Sequence, residues 1–437
     1  VLNASHTQIP GAGATAGHII GLVFPELRHL GITGADLGGG ALITSALLCK
    51  HLTSLEMSHC SFGEIAEGSV KSVLSRMANL KSLLLAGSMQ AALLSVGLTQ
   101  LTSLSLHAVP EQLSKLVPLA LSIPHLRSIS LRESRDFGVT LQPEVLLQLM
   151  TGCPFLEEFD IDAAVCQQGL DILLSAGTQL RKVEVGDIQI LESRADKPCS
   201  WKELSLNWDV EEGNEVTPGA LLLAYLPMKA LNSFWPTGLQ GSLELPFSVV
   251  PVKDLPDIVH RAALNLAESP AWHGGSEYGV TLKGDPLDRV PEGCSFSESL
   301  RVALLDALAP LHGTGEFTLS VANPEFRIGQ PEIKAIGRSL HDKLITMAIW
   351  HCMLEQSAWP VMMESLPALT TLELGKGVHG AMTVADIALF ASRTSRQLTL
   401  RLWHEMYDQL DAGKVQDALK GWGITNLTVI SFGGDDM

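Results

Sequence analysis

"LTSLEMSHC", residues 52–60, and "LITMAIWHC", residues 344–352, both place apolar side chains at positions 1, 4 and 6 and a cysteine at position 9. Apolar residues at 4 and 6, with polar or small ones at 3, 5 and 7, have the period of a strand that buries one face. The frame recurs at Leu27/Leu30/Ile32, Leu52/Leu55/Met57, Leu80/Leu83/Leu85, Leu101/Leu104/Leu106, Leu126/Ile129/Leu131, Leu156/Phe159/Ile161, Leu180/Val183/Val185 and Trp201/Leu204/Leu206. Steps between first positions are 25, 28, 21, 25, 30, 24 and 21 residues. A unit of that length cannot bury its apolar face alone, so stacked neighbours must do it.

Between the motifs, residues 39–51, 68–79, 142–152, 167–177 and 383–396 carry apolar residues at i, i+3, i+4 and i+7, the spacing of helices with one buried face. A second, less regular block reads Leu344/Met347/Ile349, Leu369/Leu372/Leu374, a degenerate Gln397/Leu400/Leu402 and Leu427/Ile430/Phe432. This pattern resembles the leucine-rich repeat, over roughly residues 24–235 and 340–433. The resemblance implies an α/β solenoid, or horseshoe, with a parallel sheet on its concave face and helices on its convex face. Long repeats with helices further resemble the ribonuclease-inhibitor-like or cysteine-containing subtype, the latter as in F-box/leucine-rich-repeat proteins.

The expected organisation is an N-terminal segment or cap (1–23), a first repeat block (24–235), divergent repeats with an inserted loop (236–340), and a second block with a C-terminal cap (341–437). A break between two subdomains within 236–340 is an equal alternative there. That stretch holds Pro246, Pro251, Pro256, Pro270, Pro286 and Pro291 and one persuasive helix, 296–309, with Ser295 and Glu298 as its expected capping box. Strand-like "EFTLSV" (316–321) leads into the second block.

By length alone, 437 residues would make two or three domains, unless the core grows along one axis. Hydrophobic residues make up 46% and charged ones 18%, a globular composition. A net charge of −17 repels phosphate backbones, and the linear sequence holds no run of Lys and Arg, so direct nucleic-acid binding is not expected. Seven irregularly spaced cysteines favour reduced thiols over a disulfide framework and predict a cytoplasmic or otherwise reducing compartment. The stretch "IPGAGATAGHIIGLVF" (9–24) is too short to span a membrane and lacks the basic flank of a secretory signal. Because the chain starts with Val, a removed targeting segment is compatible with it. Asn3-Ala-Ser5 and Asn426-Leu-Thr428 match glycosylation triplets, which arise often by chance.

The repeat frame also governs the reading of candidate chemistry. Cys60 and Cys352 fall at position 9, where the family's Asn or Cys points inward to bond the turn leaving the strand. Separated by 292 positions in a solenoid, they do not share a metal ion in one molecule. His59 and His351 are the exposed neighbours of these cysteines. "GAGATAG" (11–17) lacks the preceding buried strand of a dinucleotide loop. No HExxH, CxxC, GxSxG or phosphate-loop motif occurs, so no catalytic, metal or cofactor-binding residue is assigned and no cofactor is expected.

Positions 3, 5 and 7 project from the open face of the sheet. Serines there in the second to fifth repeats give way to Glu158, Asp160, Asp162, Glu184 and Glu203, and the second block adds Trp350, Trp403, Glu373 and Arg401. Taken alone, Asp160 and Asp162 in "FDID" read as a solvated face. Trp and Arg are enriched in interface hot spots, and an acidic stripe steers basic partners. The expectation is a non-enzymatic scaffold or subunit of a hetero-complex that binds a Lys/Arg-rich protein segment on this face, with no membrane contact. The first alternative is a ubiquitin-ligase substrate receptor, although residues 1–26 are too short for an F-box. The second is an enzyme with its site in 236–340, which no motif supports.

Overall fold

A computed structural model describes residues 2–5, 23–33, 49–58, 76–86, 98–107, 117–118, 120–132, 140–189, 201–206, 219–226, 230, 233–236, 242–245, 250–269, 279–283, 296–313, 317–322, 326–378, 383–403 and 412–432. Cys60, His59, the glycines of 11–17, Ser295 and most of the stretches 39–51 and 68–79, expected to be helical, lie outside these. The chain forms two compact units, residues 1–189 with 197–214 and residues 190–196 with 215–437.

In the first unit, β1 (Leu2–Ser5), β2 (His29–Thr33), β3 (Ser54–Ser58), β4 (Ser82–Ala86), β5 (Ser103–His107) and β6 (Ser128–Arg132) pair in parallel, in chain order. After β7 (Thr140–Leu141), β8 (Glu158–Cys166), β9 (Lys182–Gln189) and β10 (Glu203–Leu206) continue that order, with β7 lying against the far end of β8. Register follows the repeat frame: Leu55, Leu83, Leu104, Ile129, Phe159, Val183 and Leu204, all at position 4, stand side by side. Each is at most 1% exposed, and burying such a side chain stabilises by roughly 1.5–3 kcal/mol.

Backbone hydrogen bonds make the strand entrances alike. The N–H of Leu27, Leu52, Leu80, Leu101, Leu126, Leu156 and Leu180 donates to the carbonyl three residues earlier at 3.0–3.2 Å, closing a turn before each strand. The carbonyl at position 2 (Arg28, Thr53, Lys81, Thr102, Arg127, Glu157, Arg181) then accepts two N–H groups from positions 2 and 3 of the next repeat, at 2.6–3.1 Å. Position-2 residues therefore form a column along one rim of the sheet. Helices α1 (Pro143–Gly152) and α2 (Gln167–Ala176) pack against each other behind it, burying Leu146, Leu149 and Met150 from one and Leu170, Leu173 and Leu174 from the other.

The second unit carries α3 (Gly219–Tyr225), β11 (Ser233–Pro236) and a seven-stranded parallel sheet. That sheet runs β12 (Ser242–Glu244), β13 (Gly279–Lys283), β14 (Phe317–Ala322), β16 (Leu344–Trp350), β18 (Thr371–Leu374), β19 (Leu398–Trp403), β20 (Leu427–Phe432). The short β15 (Arg327–Ile328) and β17 (Met353–Leu354) pair separately. Helices α4 (Leu255–Glu268), α5 (Glu298–Asp306), α6 (Gln330–Leu340), α7 (Trp359–Ser365), α8 (Val384–Ser392) and α9 (Ala412–Gly421) pack each on the next. In α6 the buried Ile333, Ile336, Gly337 and Leu340 fall at i, i+3, i+4 and i+7. Gly337 lets α7 approach, since a Cβ there would lie 2.6 Å from the carbonyl oxygen of Ser365.

Between α5 and α6, Arg301 Nε donates to Glu332 Oε1 at 2.8 Å, while Glu332 Oε2 accepts from the Gly329 N–H at 3.0 Å. This buried pair neutralises the charge that each helix brings inside. Two expectations need correction here. The cap of α5 is Ser297, whose Oγ accepts from the Leu300 N–H at 3.3 Å, because the helix starts two residues later than the capping-box reading implies. The last repeat is offset by one residue: Leu427 pairs with Leu398 and Ile430 with Arg401, so Ile430 sits at position 5 and is 44% exposed. A slip of one residue moves a side chain to the other face.

Parallel strands in chain order, a buried apolar frame and helices behind the sheet give each unit the architecture of leucine-rich repeats. The position-9 cysteine of "LITMAIWHC" behaves as that frame predicts. Cys352 is fully buried, and its Sγ donates to the carbonyls of Trp350 (3.0 Å) and Val321 (3.5 Å). His351, exposed with φ at 53°, makes the sharp bend that sends Cys352 inward while Trp350 stays on the open face. Asn426 of the glycosylation-like triplet has its amide turned onto the carbonyls of Ala391, Thr394 and Arg396 at 2.7–3.2 Å.

Candidate functional site

On the open face of the first unit, Ser128, Glu158, Lys182 and Glu203 occupy one row across β6, β8, β9 and β10, and Ser130, Asp160, Glu184 and Ser205 the next. Glu158 and Glu203 at position 3 are exposed. Asp160 is much less so, with 16% of its side chain accessible, which corrects the reading of "FDID" as a simply solvated face. Asp162 lies where β8 and β9 shift register, between Ile161 and Ala164. There Gly186 lets the bulge close up, a Cβ on it being 3.2 Å from the backbone nitrogen of Ala163.

Two cations thread this carboxylate cluster. Arg132 donates to Asp160 Oδ2 through Nε (3.0 Å) and Nη2 (2.9 Å) and reaches Glu184 Oε1 at 3.3 Å. Lys182 Nζ lies 3.7 Å from Glu184 Oε2, and Ser130 Oγ donates to Asp160 Oδ2 at 2.8 Å. Asp160 Oδ1 is buried and has no hydrogen-bond partner among the described residues. Burial raises the Asp160 carboxyl above its ordinary value, and Glu184 adds to this, while Ser130 and Arg132 pull the other way. Five carboxylates against two cations leave the patch negative, with its outermost acids, Glu158 and Glu203, free of ion pairs among the described residues.

In the second unit Trp350, Gly375 and Trp403 share position 7 in three successive repeats. The two indoles meet with ring centroids 5.6 Å apart at 62°, across the strand between them. Gly375 permits this, since a Cβ there would fall 2.1–2.6 Å from three ring atoms of Trp350. One row lower, Arg401 Nη1 donates to Glu373 Oε2 at 2.7 Å. Burial raises the Glu373 carboxyl, against the pull of Arg401. Threonines 318, 346, 371, 399 and 428 line position 3 across β14, β16, β18, β19 and β20. This second surface is neutral and aromatic where the first is acidic.

The frame thus brings Glu158, Asp160, Glu184 and Glu203 onto neighbouring strands, pairs Trp350 with Trp403, and pairs Glu373 with Arg401. The frame gives Arg132 and Lys182 positions 7 and 3 of the same open face, but their pairing with the acids of the cluster was overlooked. Gly375 was overlooked too, although its place at position 7 between two tryptophans marks it. Among the described residues no group of three or more His, Cys, Asp or Glu could hold a metal ion.

No family model and no curated protein matches this chain. Among solved structures, a TLR13–ssRNA13 complex aligns over 87% of the chain with 16% identity and a TM-score of 0.35. The chain spans about half, 50%, of that protein. The leucine-rich repeat-containing protein LegL7 from Legionella pneumophila aligns over 96% of the chain and 98% of its own length, with 13% identity and a TM-score of 0.29. Among the described residues no helix is long and apolar enough to cross a membrane.

Proposed function

We propose that the chain is a non-enzymatic interaction scaffold whose first-unit open face binds a Lys/Arg-rich segment of a partner protein. The observation that carries this reading is the row of acids on β8–β10, which outnumber their cations and leave Glu158 and Glu203 exposed at its rim. Arg132 holds Asp160 and Glu184 in fixed positions, so an incoming cation meets a preorganised acidic surface and loses little to reorganisation. The sheet supplies rigidity because each of these residues sits on a strand with a fully buried neighbour on either side in the sequence: Phe159 and Ile161 flank Asp160, and Val183 and Val185 flank Glu184.

The Trp350–Trp403 platform gives the second unit its own contact surface for protein, with half-buried indoles beside a fixed Glu373–Arg401 pair. Purification of the full chain from native extract, with mass spectrometry of what co-elutes, is the test. A stable, stoichiometric partner that is lost when Glu158, Asp160 and Asp162 are changed to Lys supports the reading. Retention of every partner by that variant refutes the surface assignment, and turnover of a small molecule by the purified chain refutes the non-enzymatic reading.

A further inference from the structure

The rim of the first sheet carries a charge pattern opposite to that of its face. The hydrogen-bonded column at position 2 reads Arg28, Thr53, Lys81, Thr102, Arg127, Glu157, Arg181, Lys202. Five of its eight members are cations and one is an acid, whereas Lys and Arg number 30 in the 437 residues, a frequency at which eight positions would hold less than one. All five cations are exposed. Arg28, Lys81, Arg181 and Lys202 form no ion pair among the described residues, in a chain with 47 carboxylates. Arg127 is the one member of the five paired among the described residues, with Glu157 at 2.7 Å. No run of basic residues marks this in the sequence, because consecutive members are 21 to 30 residues apart.

The spacing is informative. Arg28, Lys81, Arg127 and Arg181 recur at every second strand, and strands are about 4.8 Å apart, so these cations repeat at roughly 9.6 Å. A polyproline II segment has three residues per turn and rises about 3.1 Å per residue, which puts every third side chain on one side at roughly 9.3 Å. Thr53 and Thr102, between the cations, turn their hydroxyls onto the carbonyls of Arg28 (3.0 Å) and Lys81 (3.2 Å) and so leave the column smooth. We infer that this rim binds an acidic protein segment in polyproline II conformation with a carboxylate at every third residue. A nucleic acid fits less well. Its charges repeat more closely, at about 3.4 Å per strand in a duplex, and it cannot skip Glu157 or the acids one residue further up the strands, Glu158 and Glu203. The inference concerns a different surface from the open face and stands or falls independently of it.

The test uses the full chain and a fluorescent (Glu-Pro-Pro)4 peptide, with binding read by anisotropy at low and physiological salt. The expected result is saturable, salt-sensitive binding that weakens about tenfold or more when Arg28, Lys81 and Arg181 are changed together to Glu, consistent with loss of three charge contacts. A peptide of the same composition with its glutamates in one block binds less tightly, while Glu158→Lys with Glu203→Lys leaves (Glu-Pro-Pro)4 binding intact or stronger. The triple change to Gln, with melting curves, separates lost charge from lost fold. Absence of binding, binding by the folded triple-Gln or triple-Glu variant equal to that of the unchanged chain, or no preference for the three-residue spacing overturns the inference. Tighter rim-dependent binding of a 12-nucleotide oligouridylate overturns it in favour of nucleic acid.

Discussion

Trp350 and Trp403 lie on strands separated by a third, yet their rings meet at 5.6 Å, because the residue between them, just past the end of that third strand, is Gly375. The contact depends on a missing side chain. Gly375→Ala is therefore expected to push Trp350 off its site and to cost about 1–3 kcal/mol, the usual penalty of overpacking. Urea denaturation measures the cost, and near-UV circular dichroism should show the altered indole environment. An unchanged spectrum and midpoint would mean that the indoles do not cover this glycine.

Asp160 links stability to pH. Its carboxyl is raised above the ordinary value, mainly by burial. A raised acid favours the folded state most when protonated, so its contribution is present below the unfolded value of 3.8 and is lost as pH rises through the folded value. Compared with Asp160→Asn, which does not titrate, the wild type should thus be relatively more stable at pH 4 than at pH 7. Paired urea melts at the two values give the sign, and the opposite sign would show that Arg132 and Ser130 outweigh burial.

The buried cysteines should be unreactive in the native chain. Burial pushes the Cys153 thiol up to about 11, its Sγ lies 3.7 Å from the Ala120 carbonyl, and Cys352 is fully buried. A thiolate reagent at neutral pH is expected to modify these two only as fast as the chain unfolds. Rapid labelling of Cys352 in the folded chain, located by peptide mapping, would contradict its inward placement.

Arg301 and Glu332 form the buried pair that joins α5 to α6. Removing one partner strands a charge, so Glu332→Ala should destabilise by roughly 3–5 kcal/mol, whereas Arg301→Met with Glu332→Leu should recover much of that loss. Equal destabilisation by the single and the double change would indicate that packing, not charge, dominates there.

Much of the fold was legible because a buried apolar residue at position 4, leucine in most repeats, leaves a mark along the chain. Strand β14 shows in the sequence as strand-like "EFTLSV", whereas β13 was harder to see, since Glu277 stands three residues before Val280, where the frame expects its first apolar residue. The last strand misled for another reason. Leu427, Ile430 and Phe432 satisfy the apolar frame, but register is set by pairing to Leu398 and Arg401 in the neighbouring strand, which turns Ile430 outward. The acids of the candidate surface could be read from parity alone. The same parity gives Arg132 and Lys182 their places, but not which acids Arg132 binds, 28 and 52 residues away, nor the basic rim, whose members stand 21 to 30 residues apart until the stacking of repeats brings them side by side.

The most direct measurement is titration of the full chain with a fluorescent Lys/Arg-rich 12-residue peptide. The acidic-face account predicts saturable binding that Glu158→Lys with Glu203→Lys weakens about tenfold, while Glu144→Lys with Glu364→Lys, exposed on α1 and α7, leaves it unchanged. Equal loss in both variants would reduce the binding to bulk charge, and no loss in the first would remove the open face from the account.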